Sequence, residues 1–270
     1  MKILIYTGGL GNQLFGYAFY LYLKKKYSDE SVWGIYDRRW LSEHNGFEIN
    51  RYFDVSLPKS PFWVRILNRI IIKLDAMNII KARVSMDTRS FSEKNIVVNA
   101  CKMHTDFLFE DMNFIQFKSF KLSEENQYVL NMIESTHSAF IHVRRGDYYS
   151  PNNIARLGGT CPIEFYERAI QCLLKQDPQT RFFVFSDDIQ WVKDNMSIPA
   201  PIYIDWNKGD DSVIDMFLMS NCKNAIIANS TFSYWGARLG RKKKYVFYPK
   251  KWVNPPATPP QICPQNWISF

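Results

Sequence analysis

The sequence predicts an α/β protein with a parallel sheet in each half of the chain. Short apolar runs alternate with segments of helical period over most of its length, the pattern that builds parallel sheets through crossover helices. No self-similarity at a period of roughly 20–50 residues marks a solenoid. The 270 residues suffice for two domains of ordinary size, at roughly 150 residues each.

Taken in order, residues 2–6 read as a buried strand, 7–12 as a Gly-rich turn and 13–26 as a helix. Strands are expected at 32–36 and 96–100. Between them, Arg65, Arg69 and Lys73 recur every four residues beside Trp63, Ile66, Ile70 and Leu74, which makes 62–74 a basic amphipathic helix. Packing of its apolar stripe on the first domain is preferred to docking on an anionic membrane, because so short a stripe binds membrane only marginally. The second half repeats the rhythm, with strands at 140–143, 182–185, 202–204 and 225–228 and helices at 162–175, 189–195, 213–219 and 234–239. The polar stretch 123–136 is the expected boundary, giving domains of residues 1–130 and 131–270. Residues 255–270 carry four prolines in their first six positions and are expected to lie extended on the surface.

Apolar residues at 46% and charged residues at 22% exclude a disordered chain, a collagen and a disulfide-dense mini-protein. Aromatic residues, at 16%, fit an aromatic-rich core or apolar contact surfaces. A net charge of +8 favours anionic partners, namely nucleotides, nucleic acid or acidic lipid headgroups, without choosing among them. The basic runs at 24–26, 241–244 and 250–251 read as solvated helix ends and loops. Five cysteines without a CxxC pair argue for reduced thiols. The apolar run at residues 3–6 is too short for a signal-peptide core, and no stretch of roughly 18 apolar residues occurs, so a cytoplasmic location is expected.

Ligands of open α/β sheets bind beyond the carboxyl ends of the strands, and three such ends stand out. The first, Gly8-Gly9-Leu10-Gly11-Asn12-Gln13, serves either as a binding loop at a helix N-terminus or as a tight structural turn; Leu14 breaks the GxGxxG dinucleotide pattern. Asn12 and Gln13 offer neutral groups for sugar hydroxyls. In the second, His142-Val143-Arg144-Arg145-Gly146-Asp147-Tyr148, alternation puts His142 and Arg144 on one face, and a guanidinium fork matches phosphate oxygens two at a time. Arg145 either joins in binding a diphosphate or pairs with a carboxylate to set the loop. The third, residues 229–236, is hydroxyl-rich: Ser230, Thr231 and Ser233 either cradle an anion or cap a helix. A lesser site, Ser186-Asp187-Asp188, could accept hydrogen bonds from a guanine. No metal cage is expected there, since no His or Cys is near and the arginines supply the positive charge. Asp210 and Asp211 read as a helix cap, and His44, His104 and His137 as structural.

Together GGLGNQLF, HVRRGDY at 142–148, FSDD at 185–188 and NSTFSYWGARL at 229–239 resemble, in that order, the bacterial α-1,2-fucosyltransferases, inverting enzymes of glycosyltransferase family 11. The likeness covers residues 3–252 and is strongest in the second half. It implies a GT-B type fold, two Rossmann-like domains with parallel sheets facing across a cleft, with the acceptor on the N-terminal side and the donor on the C-terminal side. It also implies a GDP-β-L-fucose donor, no metal or other cofactor, and fucosylation at O2 of a terminal β-galactoside, free or lipid-linked, in surface glycan or O-antigen synthesis. Nucleic acid is not an expected partner on this reading. Contact with the inner face of a membrane remains compatible with it.

Carried over by position, the resemblance implies that Arg144 clamps the β-phosphate, His142 lies near ribose or base and Asp187 reads guanine. Ser230, Thr231 and Phe232 line the diphosphate and fucose, with Arg145 beside them, and Gly11 and Asn12 face the reacting centre. Asp147 is the candidate general base, or it orients Arg144 or Arg145. The chain departs from the family at residues 99–107, NACKMHTDF, where many relatives carry a GYxQSxxYF-like stretch, at Asn224 in place of a His, and at Tyr234 in place of a common Trp. The alternatives are a non-enzymatic nucleotide or nucleic-acid binder, and a transferase of the same fold with another acceptor or sugar.

Overall fold

The computed structural model describes residues 1–27, 31–36, 41, 45–81, 83–110, 112 and 114–270; His44 lies outside them. The chain forms two compact units, Met1–Lys118 with Pro260–Ile262, and Ser119–Pro259 with Cys263–Phe270.

The first unit is built on a four-stranded parallel sheet. Its strands are β1 (Lys2–Ile5), β2 (Val32–Ile35), β3 (Val84–Ser85) and β4 (Val97–Asn99), in the order β2-β1-β4-β3. Period-two alternation sends Leu4 and Val98 to one face, against Phe19 and Leu23 of helix α1 (Leu10–Lys26). Ile3, Ile5 and Val97 go to the other face, against Val64 of helix α2 (Phe62–Ala76). Helix α1 begins three residues earlier than the sequence suggests. Gly9 is its N-cap, so Gly11 and Asn12 belong to its first turn and not to a loop. A glycine at position 11 lowers helix propensity, and burial of Leu10 and Leu14 outweighs that.

Helix α2 corrects one expectation. It docks through Val64, Leu67, Asn68 and Ile71, and of the stripe expected to pack, Trp63, Ile66 and Ile70 are exposed and Leu74 is half-buried. The helix carries two apolar stripes, and only one of them can face the sheet.

The second unit holds a six-stranded parallel sheet: β5 (His137–Val143), β6 (Thr180–Ser186), β7 (Ile202–Ile204), β8 (Asn224–Ile226), β9 (Val246–Tyr248) and β10 (Ile268–Ser269). Its order, β7-β6-β5-β8-β9-β10, is the doubly wound one, third-second-first-fourth-fifth-sixth. The helices are α3 (Glu124–Ser135), α4 (Ile163–Gln176), α5 (Ile189–Asn195), α6 (Ser212–Asn221) and α7 (Thr231–Arg238). Ala139, Ile141, Val143, Phe182 and Val184 share one core with Phe165, Ala169 and Leu173 of α4 and Val192 of α5. Helix α6 packs between α3 and α7.

Two further expectations need correction. The division falls at Lys118/Ser119 and not at 130/131, because the polar stretch is a helix of the second unit. Ser123 caps it, accepting from Asn126 N at 3.2 Å, while Asn126, Val129, Leu130 and Ile133 are buried and Glu124, Glu125, Gln127, Asn131 and Glu134 cover the outer face. The tail is not merely extended on the surface. Thr105 N donates to Gln261 O at 2.7 Å, which ties 260–262 to the first unit, and β10 completes the second sheet. The prolines of the tail, at 255–264, all lie ahead of β10 and leave the backbone N–H groups of the strand free to pair.

Candidate active site

The doubly wound order puts the topological switch point between β5 and β8, which pair in parallel from Ala139↔Asn224 to Ile141↔Ile226. There the chain leaves the two strands for crossovers on opposite faces and opens a crevice at their carboxyl ends. HVRRGDY begins with the last two residues of β5, and NST follows β8 after Ile227 and Ala228.

Alternation along β5 sends Val143 into the core below α4. His142 is buried on the opposite face, its ring 5.9 Å from that of Phe232. Burial, with a smaller contribution from the Arg144 charge, lowers the His142 pKa to about 3, so its imidazole is neutral. The Tyr148 hydroxyl donates to Asn229 O at 2.9 Å and joins the loop after β5 to the loop after β8. The Asn229 amide donates to Thr160 Oγ1 at 2.6 Å and to Trp252 O at 2.9 Å. Among the described residues, His142 Nδ1 and Asn229 Oδ1 are buried polar atoms with no protein partner, on either side of the switch point. A ligand in the crevice could supply both missing bonds.

The two arginines divide their work. Arg144 Nη2 lies 2.7 Å from Asp147 Oδ1 and Nη1 3.0 Å from Asp187 Oδ2, so two carboxylates fix the guanidinium. Arg145 contacts its own loop and helix α5. Its guanidinium lies 4.2 Å from the centre of the Tyr149 ring and 3.6 Å from that of Trp191, with Nε 3.4 Å from Asp188 Oδ2. Its backbone N donates to Asp187 Oδ1 at 2.9 Å. Gly146 permits this approach, since a Cβ there would lie 2.5 Å from Asp187 Oδ2. Both oxygens of Asp187 therefore hold the arginine loop, and Asp188 caps α5 by accepting from Trp191 N at 3.2 Å.

Helix α7 starts at Thr231 with Ser230 as its N-cap, accepting from Phe232 N at 3.3 Å. Capping, one of the two readings for this turn, thus accounts for Ser230. It also sets the N-terminus of α7, with its N–H groups and positive dipole end, at the carboxyl edge of the sheet beside the switch point. Thr231 and Phe232, half-buried, form the first turn. Ser233 is buried and donates to Ser230 O at 3.3 Å.

Motif and spacing assign no role to Tyr148, Tyr149, Trp191 or Asp215. Asp215 lies in the first turn of α6, at this same edge, where burial raises its pKa to about 7 although Asn207 Nδ2 donates to Oδ1 at 2.8 Å. Asn207 and Asn126 exchange amide hydrogen bonds at 2.9 and 3.0 Å, and Trp206 Nε1 donates to Asn126 Oδ1 at 3.0 Å. Residues so far apart in sequence leave no local signal.

In the first unit, Gly11 is buried and Asn12 half-buried. Gly8 takes a positive φ of 73°, and a Cβ there would collide with the Asn12 amide. Gln13 is not open to a sugar: Nε2 donates to Gly8 O and Gly46 O, and Oε1 accepts from Glu48 N and Ile49 N. His104 caps a short helical turn by accepting from Asp106 N, and His137 pairs with Asp177. Asp211 stands at the N-cap of α6 without a side-chain capping bond. Among the described residues, no group of three or more His, Cys, Asp or Glu side chains is arranged to hold a metal ion, and no helix is long and apolar enough to cross a membrane.

A family model described as Glycosyl transferase family 11 matches residues 75–269, well over half of the chain and all of the site in the second unit. The protein belongs to this family. The chain is 28% identical to the O-antigen biosynthesis glycosyltransferase WbnK of Escherichia coli, covering 91% of this chain and 93% of that one. It is also 28% identical to an alpha-1,2-colitosyltransferase of Escherichia coli, covering 97% and 96%. Among solved structures it is similar to NodZ alpha-1,6-fucosyltransferase soaked with GDP-fucose, at a TM-score of 0.46 and 15% identity, covering 88% and 92%. This family 11 glycosyltransferase has a single α/β plan in both units, a parallel sheet with helices on its faces.

Proposed function

We propose that this glycosyltransferase moves L-fucose from GDP-β-L-fucose to O2 of a terminal β-galactoside, with inversion and without a metal, in O-antigen synthesis. The observation that carries the reading is the Tyr148–Asn229 hydrogen bond, which makes neighbours of the arginine loop and the N-terminus of α7. A guanidinium fork and a helix N-terminus at one switch point are two complementary ways of holding a diphosphate.

In this reading Arg144 grips the β-phosphate, and Ser230, Thr231 and Phe232 line the diphosphate and sugar from α7. The neutral His142 imidazole supplies a hydrogen bond and no charge. Asp187 holds Arg144 and Arg145 in place, and Asp215 is a buried carboxyl on this edge able to accept from a guanine. The acceptor O2 forms a bond to C1 of fucose as the bond from C1 to the phosphate oxygen breaks, GDP departs with the electron pair, and the acceptor proton passes to solvent water. Arg144 stabilises the charge that develops on GDP, commonly the largest catalytic term. Asp147 orients Arg144. Asn12 and Gly11 serve the acceptor side.

One observation favours a second donor: a relative of equal identity is named a colitosyltransferase. Colitose is L-fucose without its 3-hydroxyl, so the same diphosphate site would serve it. The test is transfer from GDP-fucose and GDP-colitose to a panel of β-galactosides, with and without EDTA. Fucosyl transfer that persists in EDTA is expected. Transfer of colitose alone selects the second donor, and transfer of neither sugar overturns the proposal.

A further inference from the structure

Helix α2 of the first unit is covered on one side only. At about 100° per residue, Val64, Leu67, Asn68 and Ile71 form the side that faces the sheet. The opposite half splits lengthwise into two strips. Phe62, Trp63, Ile66 and Ile70 fall within one arc of roughly 100°, and Arg65 and Arg69 occupy the next arc, with Lys73 at the edge of the apolar one. Most of the apolar strip is open to solvent: Phe62 is 75% exposed, Ile66 44% and Ile70 49%, while Trp63, 49% exposed, rests one edge against Trp33 with ring centroids 5.1 Å apart. Beyond the helix, Met77, Ile79, Ile80 and Lys81 are exposed as well.

Among the described residues, Arg65, Arg69 and Lys73 make no ion pair, and Asp75, the one acid of the helix, is turned half into the protein. Soluble proteins seldom leave a continuous apolar strip of this kind in water. A protein partner that buried these cations would need matching carboxylates at a fixed spacing. A sheet of anionic headgroups over hydrocarbon satisfies both strips at once, with aromatic rings at the boundary and cations beside them.

We infer that the exposed face of α2 docks this glycosyltransferase on an anionic lipid bilayer, Phe62, Trp63, Ile66 and Ile70 entering the interface and Arg65, Arg69 and Lys73 meeting lipid phosphates. The inference concerns the first unit alone and holds for either sugar donor.

Flotation of the full chain with vesicles of phosphatidylcholine, or of phosphatidylcholine mixed with phosphatidylglycerol, tests it. Binding to the mixed vesicles only, weakened by salt, is expected. A variant with Arg65→Glu, Arg69→Glu and Lys73→Glu should lose on the order of a hundredfold in partitioning, as three cations leave the surface. A variant with Phe62→Ser, Ile66→Ser and Ile70→Ser should lose at least about tenfold through lost apolar contact. Both should keep wild-type GDP affinity in solution, which shows them folded and separates this test from that of the donor site. Absence of wild-type binding to the mixed vesicles overturns the inference, as does equal binding by either variant. Self-association through this face, seen as a dimer that both variants abolish while vesicles remain unbound, overturns it in favour of a second copy of the chain.

Discussion

The Tyr148 hydroxyl donates to the carbonyl oxygen of Asn229 at 2.9 Å, joining segments 81 residues apart across the switch point of the second sheet. Burial of this hydroxyl raises its pKa to about 12, so the phenol stays a donor throughout the working pH range. Tyr148→Phe leaves the Asn229 carbonyl without this donor. The expected loss is about 1–2 kcal/mol in urea denaturation, accompanied by weaker GDP binding. Wild-type values of both would show that the bond does not hold the site together.

Asp147→Asn separates orientation from proton transfer. Because Asp147 Oδ1 lies 2.7 Å from Arg144 Nη2, the variant should lose about tenfold in kcat across the pH range and keep the acidic limb of its profile. Disappearance of that limb would make Asp147 the general base.

Two buried groups pull stability in opposite directions with pH. His142 has a folded pKa of about 3 against roughly 6.5 unfolded, so between these values only the unfolded chain takes the proton and stability falls as pH falls. Asp215 has a folded pKa of about 7 against roughly 3.9 unfolded, so in that window the folded chain holds the extra proton and stability falls as pH rises. From about pH 4 to 6.5 the two slopes, each about 1.4 kcal/mol per pH unit at most, oppose one another. Denaturation of Asp215→Asn should therefore steepen the loss of stability toward acid relative to wild type. An unchanged slope would mean that Asp215 does not titrate near neutrality in the folded protein.

Phe270 packs, half-buried, against the core of the second unit. The Phe270 ring stacks on Phe247 with centroids 5.7 Å apart, and the Arg168 guanidinium lies 4.4 Å from its centre. Phe270→Ala should cost about 1–2 kcal/mol in chemical denaturation. No measurable loss would leave β10 as a loose edge.

The α/β class was legible because each long buried strand is an apolar run followed by a helix-period segment, as in 140–143 with 162–175. Strands β3 and β10, two residues each, carry no periodicity to detect, and their pairing is set by neighbours distant in sequence. The arginine loop and the NST turn were found from residue type alone, since guanidinium and hydroxyl groups after buried strands need partners. Their hidden supports, Tyr149 and Trp191 on either side of Arg145, were not, because stacking across a loop leaves no spacing rule. Helix α2 shows the opposite limit: its period was plain, yet the period could not say which of two apolar stripes faces inward.

In the proposed reaction the switch point of the second unit grips a guanosine diphosphate through Arg144. Calorimetric titration of GDP into wild type, Arg144→Lys and Arg144→Ala tests it most directly. One GDP per chain is predicted, with affinity reduced on the order of a hundredfold in Arg144→Ala and nearly as much in Arg144→Lys, since an ammonium cannot reproduce the fork. Failure of the wild type to bind GDP, or wild-type affinity in Arg144→Ala, would contradict the account.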